Sequence, residues 1–238
     1  MVRSCRLLSA NVRGLAKNRR DLAVAASAVD VILLSETLMS DRRHDAELLL
    51  GRFRRPVHLR RGAVDGGRGM SVYVREGFNA FRQSTYECGC HELQVVRVCG
   101  RHINFYVFSV YRSPSRDDSI YDCLLNGMGL AQSNDAKASY VFVGDFNAHH
   151  TEWLGSVTPT DCHGIAALDF ATTSGCQQLV DRATHVGGNR LDLVFTDVPG
   201  VVNVQVAAPI GSSDHSALLL TLTLQQDVPE FSIRREVF

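Results

Sequence analysis

An α/β fold, two β-sheets packed face to face with helices outside, is what the sequence predicts. Three observations carry that prediction. Short apolar runs such as Val31-Ile-Leu-Leu-Ser35 and Tyr140-Val-Phe-Val-Gly144 read as buried strands. Stretches with apolar residues at helical spacing fall between such runs. No repeat, low-complexity tract or linker divides residues 1–224, so strands and helices share one core.

In chain order, residues 5–12 read as a strand and 17–29 as a helix with Leu22, Ala25, Ala26 and Val29 along one side. Residues 30–36 form a short apolar run of the buried-strand type, and 42–50 a helix. Residues 70–74, 93–98 and 103–111 alternate or run apolar as strands do, the last two separated by a turn at Gly100-Arg101. A helix is expected over 121–131 and a buried strand over 139–144. Ile165, Leu168, Asp169 and Thr172 fall at helical spacing within 162–172. Three strands close the domain: 191–196, 201–207 and 217–224. Residues 225–238, with Pro229 between charged residues, read as a tail or linker. The glycines between Gly62 and Gly69 precede a strand instead of opening a helix, so they read as a turn and not as a dinucleotide-type phosphate loop.

Composition narrows the class. With 238 residues, 45% of them hydrophobic and 21% charged, the chain has the makings of a sizeable globular core. No apolar stretch approaches the roughly 20 residues that span a bilayer, and the first residues are too weakly apolar for a signal peptide. The expectation is an intracellular protein with no membrane partner. Seven cysteines, an odd number, fit that compartment. Cys88-Gly-Cys90-His91 is the one cluster with ligand character, but it lacks a second Cys/His pair at zinc-site spacing. Net charge is zero, yet residues 1–75 hold 15 of 25 Lys+Arg and 7 of 25 Asp+Glu, a formal +8 against −8 for the rest. Such asymmetry suits a phosphate-binding face beside an acidic site, or a surplus of solvated arginines.

The chemistry-bearing residues sit where strands end. Glu36 follows Val31-Ile-Leu-Leu-Ser35, so its carboxylate emerges from the core and needs a metal, an Arg or a helix end as partner. Asp145 and Asn147 follow the strand ending at Gly144 and alternate onto one side, as water activation requires and as an Asx-turn also would. His215, flanked by Asp214, is suited to donate a proton to a phosphoryl oxygen. Asp192, polar inside an apolar strand, needs a hydrogen-bond partner, and His215 is the natural one. Asn11 and Tyr111 supply an amide and a hydroxyl, either for the site or as buried strand residues.

The ordered series Asn11, Glu36, Tyr111, Gly144-Asp145-x-Asn147, Asp192 and Ser213-Asp214-His215 resembles the exonuclease-III/apurinic-endonuclease-like superfamily over nearly all of residues 5–224. Asn11-Val-Arg-Gly-Leu15, Val110-Tyr-Arg-Ser-Pro114, Gly144-Asp-Phe-Asn-Ala-His-His150 with Trp153, and Arg190-Leu-Asp-Leu-Val-Phe195 are similar to the endonuclease domain of non-LTR (LINE-type) retrotransposons of the insect-type branch. Some members of that branch insert at fixed sites, including ribosomal RNA genes and telomeric repeats.

That resemblance implies a four-layer α/β sandwich, an endonuclease domain over residues 1–224, and a nick in one strand of double-stranded DNA. The implied cofactor is Mg2+, with Mn2+ as substitute, held by Glu36 with Asn11 and Asp214 close by. Asp145 activates the water, Asn147 orients it, Tyr111 and His215 contact the phosphate, and Asp192 orients His215. Arg13, Arg112, Thr184, Arg190 and Ser213 are placed at the DNA, with Arg52, Arg54, Arg55, Arg60 and Arg61 as phosphate contacts. Segment 184–190 stands where relatives carry a DNA-contacting hairpin, though here it is short and glycine-rich. A 5′-phosphate and a 3′-hydroxyl result, the latter priming a reverse transcriptase domain of the same polyprotein in the nucleus.

Three other readings compete. Inositol-polyphosphate phosphatases and sphingomyelinases share the superfamily, but such phosphatases carry Trp-Cys-Asp-Arg where this chain has Asn189-Arg-Leu-Asp-Leu193. An abasic-site repair endonuclease is the alternative enzyme. A silent DNA-binding module would have lost site residues, and none is missing.

Overall fold

The computed structural model describes residues 4–39, 49–59, 67–115 and 118–224. Most of the expected helix over 42–50, Arg60, Arg61, residues 62–66 and the tail 225–238 lie outside the described residues. Among the described residues, twelve strands form two six-stranded mixed sheets. The first runs β11 (Val202–Pro209), β12 (Ser216–Thr223), β1 (Ser4–Asn11), β2 (Val31–Ser35), β4 (Met70–Val74), β3 (Val57–Leu59). The second runs β5 (Ala80–Arg82), β6 (Glu92–Cys99), β7 (Asn104–Tyr111), β8 (Ala138–Asp145), β10 (Asp192–Thr196), β9 (Gln177–Gln178). The α-helices among the described residues are α1 (Leu15–Ala26), α2 (Ser119–Asn134) and α3 (Cys162–Ser174).

Alternation along the strands builds the layers. Cys5, Leu7, Val31 and Leu33 of the first sheet pack with Phe105, Val107, Val141 and Val143 of the second. The opposite faces look outward: Leu8, Ala10, Ile32 and Leu34 receive Leu15, Leu22 and Ala26 of α1. Tyr106, Phe108, Tyr140 and Phe142 receive Ile120 and Leu124 of α2 and Phe170 of α3. Strands buried on both faces therefore read as continuous apolar runs. Each fully buried large side chain contributes on the order of 2 kcal/mol, which makes this two-sided packing the main stabilising term. The expected α/β sandwich is what forms.

One parallel pair lies inside each sheet: β1 with β2, Asn11 opposite Ser35, and β7 with β8, Tyr111 opposite Asp145. Parallel pairing brings the carboxyl ends of both strands to the same edge, so Asn11, Glu36, Tyr111 and Asp145 leave their sheets together. Antiparallel β10 adds Asp192 directly opposite Asp145. Gly144 permits the close approach of β7 and β8 there: its φ is 143°, and a Cβ would fall 2.0 Å from the Val110 carbonyl oxygen.

The strands absent from the sequence reading are β3, β5 and β9, of two or three residues each and all at sheet edges. Short edge strands blunt unwanted pairing and carry no apolar periodicity to detect. Helix α1 begins two residues before its expected start and ends three before its expected end; Val29 is buried beyond it. Among the described residues no helix is long and apolar enough to cross a membrane.

Candidate active site

Glu36 follows the fully buried β2 and turns the chain with a left-handed backbone, φ 48°. Arg13 (φ 42°) and Asn147 (φ 46°) share this conformation, which costs a non-glycine residue on the order of 1 kcal/mol. The Glu36 carboxylate is a meeting point. Its Oε1 accepts from Asn11 Nδ2 at 3.2 Å and from the Tyr111 hydroxyl at 3.1 Å, and its Oε2 from Arg68 Nη1 at 3.2 Å. Burial, then the charges of Glu36 and Asp145, push the Tyr111 phenol well above its ordinary pKa, so it stays a donor.

Asn11 joins this cluster to the next, because its Nδ2 also donates to Asp145 Oδ2 at 2.9 Å. Its own Oδ1 accepts the Arg13 amide at 3.2 Å. Asp145 is 1% exposed, and its Oδ1 accepts the Asn147 amide at 3.1 Å, an Asx-turn. Burial, then the facing Asp192, raise the Asp145 carboxyl to about 7 against the opposing pull of His215 and Asn11. That suits a group that must take and release a proton near neutrality.

His215 closes the arrangement. Its Nδ1 lies 2.8 Å from Asp192 Oδ2, and its Nε2 lies 3.9 Å from Asp145 Oδ2 and 4.0 Å from Asp214 Oδ1. Burial lowers the imidazole pKa, but the Asp192 hydrogen bond and charge, with Asp145 and Asp214, outweigh it and raise the value to about 9. The ring is then protonated at neutral pH, with Nδ1–H fixed on Asp192 and Nε2–H turned towards the other carboxylates. The Asp192–His215 pairing anticipated from sequence is present.

Asp214 contacts the Arg13 guanidinium, and its Oδ2 lies 3.4 Å from His185 Nε2. Burial opposes its ionisation, yet its own backbone amide, Arg13 and His215 hold its pKa below the ordinary value. Its Oδ1 is buried without a hydrogen-bond partner, an oxygen open to a cation. Glu36 and Asp214 line one cavity of about 340 Å³ together with Arg13, Lys17, Leu38, Arg68 and Ser212. Hard carboxylate oxygens facing one polar cavity are the donor set that a Mg2+-like ion takes.

Three of the residues expected at DNA, Arg112, Thr184 and Ser213, are buried in internal contacts. Arg112 is 1% exposed; its guanidinium donates to the carbonyls of Phe146 (2.7 Å), Asn147 (2.6 Å) and Ser113 (3.3 Å). Asn147 returns a bond from Nδ2 to the Arg112 carbonyl at 2.8 Å. Thr184 is buried, and its Oγ1 accepts the amides of Leu191 and Asp192 at 3.0 and 2.9 Å. Ser213 Oγ donates to the Asn11 carbonyl at 2.7 Å and accepts the His215 amide at 3.2 Å. Arg190 donates to the Asp181 carbonyl at 3.0 Å. Arg112, Thr184 and Ser213 thus brace the backbone around the cluster, whereas Arg190 is half-buried and Arg13 is exposed.

Arg54 also departs from expectation. It donates to the Phe78 and Ala80 carbonyls and lies over the Phe81 ring, while its amide bonds Val74. Val74 pairs with Val31, at the start of β2, so Arg52, Arg54 and Arg55 stand about 16 Å of strand away from the Glu36 end. Segment 184–190 forms a tight turn that bridges His185 to His215, with Val186 77% exposed at its tip.

Three residues were missed from sequence: Arg68, His185, and Glu92, whose buried carboxylate accepts the amides of Arg68 (2.9 Å) and Gly69 (2.5 Å). An acidic residue at the start of an apolar strand was the available signal for Glu92.

The chain shares its fold with three solved structures. The endonuclease domain of TRAS1, a telomere-specific non-LTR retrotransposon, superposes with a TM-score of 0.70 at 19% identity, over 94% of this chain and 100% of that one. The AP endonuclease LMAP from Leishmania major gives 0.71 at 14% identity, covering 93% and 88%. The APE2 catalytic domain of Xenopus laevis gives 0.66 at 13% identity, covering 93% and 94%. No curated protein matches in sequence. The sequence profile of the Endonuclease/Exonuclease/phosphatase family matches residues 8–215, a span running from β1 to His215 that takes in every carboxylate and amide of the site. With that match and the two-sheet fold, the chain belongs to the Endonuclease/Exonuclease/phosphatase family.

Proposed function

We propose that this chain is a divalent-metal-dependent DNA endonuclease. It nicks one strand of a duplex in the nucleus and leaves a 3′-hydroxyl that primes a reverse transcriptase domain of the same polyprotein. The observation that carries the reading is the convergence of Asp192, His215, Asp145, Asn11 and Glu36 from both sheets into one cluster, hydrogen-bonded from Asp192 to His215 and from Asp145 through Asn11 to Glu36, with His215 Nε2 3.9 Å from Asp145 between the two.

Glu36 and Asp214, with Asn11 beside them, would hold the ion, and Asp214 Oδ1, which accepts no hydrogen bond, fits that task. When bound, Mg2+ or its substitute Mn2+ supplies positive charge to the phosphoryl oxygens. Asp145, with a pKa of about 7, takes the proton of the attacking water, which Asn147 orients. His215, charged and fixed by Asp192, offers its Nε2 proton to a phosphoryl oxygen as negative charge builds there. Tyr111 holds Glu36 and faces the same phosphate. Arg13, Lys17 and Arg68 ring the cavity with positive charge suited to a DNA backbone.

End chemistry tests this reading. Nicked plasmid produced with Mg2+ should be extended by a polymerase without prior phosphatase treatment. A 3′-phosphate end, or cleavage of a soluble inositol phosphate in place of DNA, would overturn it. Cutting confined to duplexes that contain an abasic site would favour the repair alternative. Mapping nicks on a long duplex decides target choice: one dominant position identifies a fixed insertion site, and scattered positions reject one.

A further inference from the structure

We propose that Cys88, Cys90 and Cys123 form a thiolate site for a thiophilic d10 cation of the Zn2+ type, fastening the segment before β6 to helix α2. Sequence spacing left Cys88-Gly-Cys90 without partners. The fold supplies one from 33 residues downstream, since the Sγ atoms of all three cysteines lie within 4.8 Å of one another. The Cys90–Cys123 separation is 4.0 Å. Tetrahedral zinc with bonds of about 2.3 Å spaces its sulfurs roughly 3.8 Å apart, so little movement is needed to close on an ion.

A second observation points the same way. The His91 backbone amide is directed at Cys88 Sγ, and Cys88 also contacts Cys90 and Cys123. An amide aimed at a sulfur offsets the negative charge that a metal-bound thiolate carries. A disulfide would join only two of the three sulfurs and leave the third, with its converging neighbours, unexplained.

The location gives the site a job. His91 Nε2 lies 2.8 Å from Ser119 Oγ at the start of α2. Further along, a Cβ on Gly127 would meet the Tyr86 carbonyl oxygen at 2.8 Å, so loop and helix are in close contact there too. Ser119, Cys123 and Gly127 are four residues apart and form one stripe of the helix. The thiols thus stand midway along a seam between α2 and residues 86–91. Cys90 is exposed, which leaves room for a water as fourth ligand. Three thiol protons leave as the ion binds. The site shares no residue with the Glu36–Asp145–His215 cluster, and it anchors the residues that lead directly to Glu92.

The test uses the full chain, reduced and stripped of metal, titrated with Co2+ and then Zn2+. Cobalt should give a near-ultraviolet thiolate-to-metal band that Zn2+ abolishes, and Zn2+ should raise the thermal midpoint and protect the three cysteines from alkylation. Cys123→Ser should weaken Zn2+ binding on the order of 100-fold and remove the protection, with Mg2+-dependent nicking retained. Cys90→Ser, at an exposed position, serves as the variant least able to disturb folding and should weaken binding similarly. Absence of a thiolate band in the wild type, or a band unchanged in both variants, would overturn the proposal.

Discussion

Replacing Asp192 by Asn isolates the charge that keeps His215 protonated. Burial alone would lower the imidazole pKa, and the carboxylate 2.8 Å from Nδ1, with Asp145 and Asp214, raises it to about 9. Asparagine keeps the acceptor oxygen and removes the charge. If the whole elevation is lost the pKa returns to about 6.5, a change worth about 3 kcal/mol. At pH 8 the wild-type ring is then about 90% protonated and the variant about 3%, a ratio of about 30, while at pH 6 both are mostly protonated. The sign follows from the raised pKa: the stabilisation is complete below pH 6.5 and is lost as pH rises through about 9. Titrating the His215 ring by NMR in the metal-free chain reads the shift directly, and nicking rates at pH 6 and pH 8 read its consequence. The variant should be about 30-fold slower at pH 8 and recover most of that loss at pH 6. An unmoved titration midpoint, or the same rate ratio at both pH values, refutes the role given to Asp192.

Three further perturbations bear on the same site. Asp145 has a carboxyl raised by burial and by Asp192, so its contribution to stability is present below pH 3.8 and is lost as pH rises through about 7. Denaturant unfolding without metal should show Asp145→Asn gaining on the wild type by on the order of 2 kcal/mol between pH 5 and pH 8, although inactive; parallel curves would contradict the buried-charge account. Thr184→Val removes the acceptor shared by the Leu191 and Asp192 amides and should cost about 2–4 kcal/mol in chemical denaturation, since both amides are left in a buried segment. Gly144→Ala drives a Cβ into the Val110 carbonyl and should lower the thermal midpoint by more than about 5 °C, or prevent folding; a neutral result would mean that β7 and β8 can separate.

How much of this was legible in the sequence follows from what leaves a periodic trace. Strands buried on both faces, such as β2, β7 and β8, announce themselves as apolar runs, and the polar residues that interrupt or end them mark the site. Asp192 was readable as a partner of His215 because a carboxylate within an apolar strand needs one. Edge strands β3, β5 and β9 are too short to show a period. The braces were harder to see. Arg112, Thr184 and Ser213 have side chains that suit DNA, and nothing local records that three carbonyls, two amides or one neighbouring strand end claim them first. Arg68, Glu92 and His185 reach the site through pairings distant in sequence, which spacing cannot report.

Incubating supercoiled plasmid and Mg2+ with the wild type, Asp145→Ala and His215→Ala tests the central claim most directly, provided circular dichroism shows all three folded. Conversion to open circles by the wild type, with a loss of at least about 100-fold in each variant, is the predicted result. Nicking by either variant at the wild-type rate would contradict it.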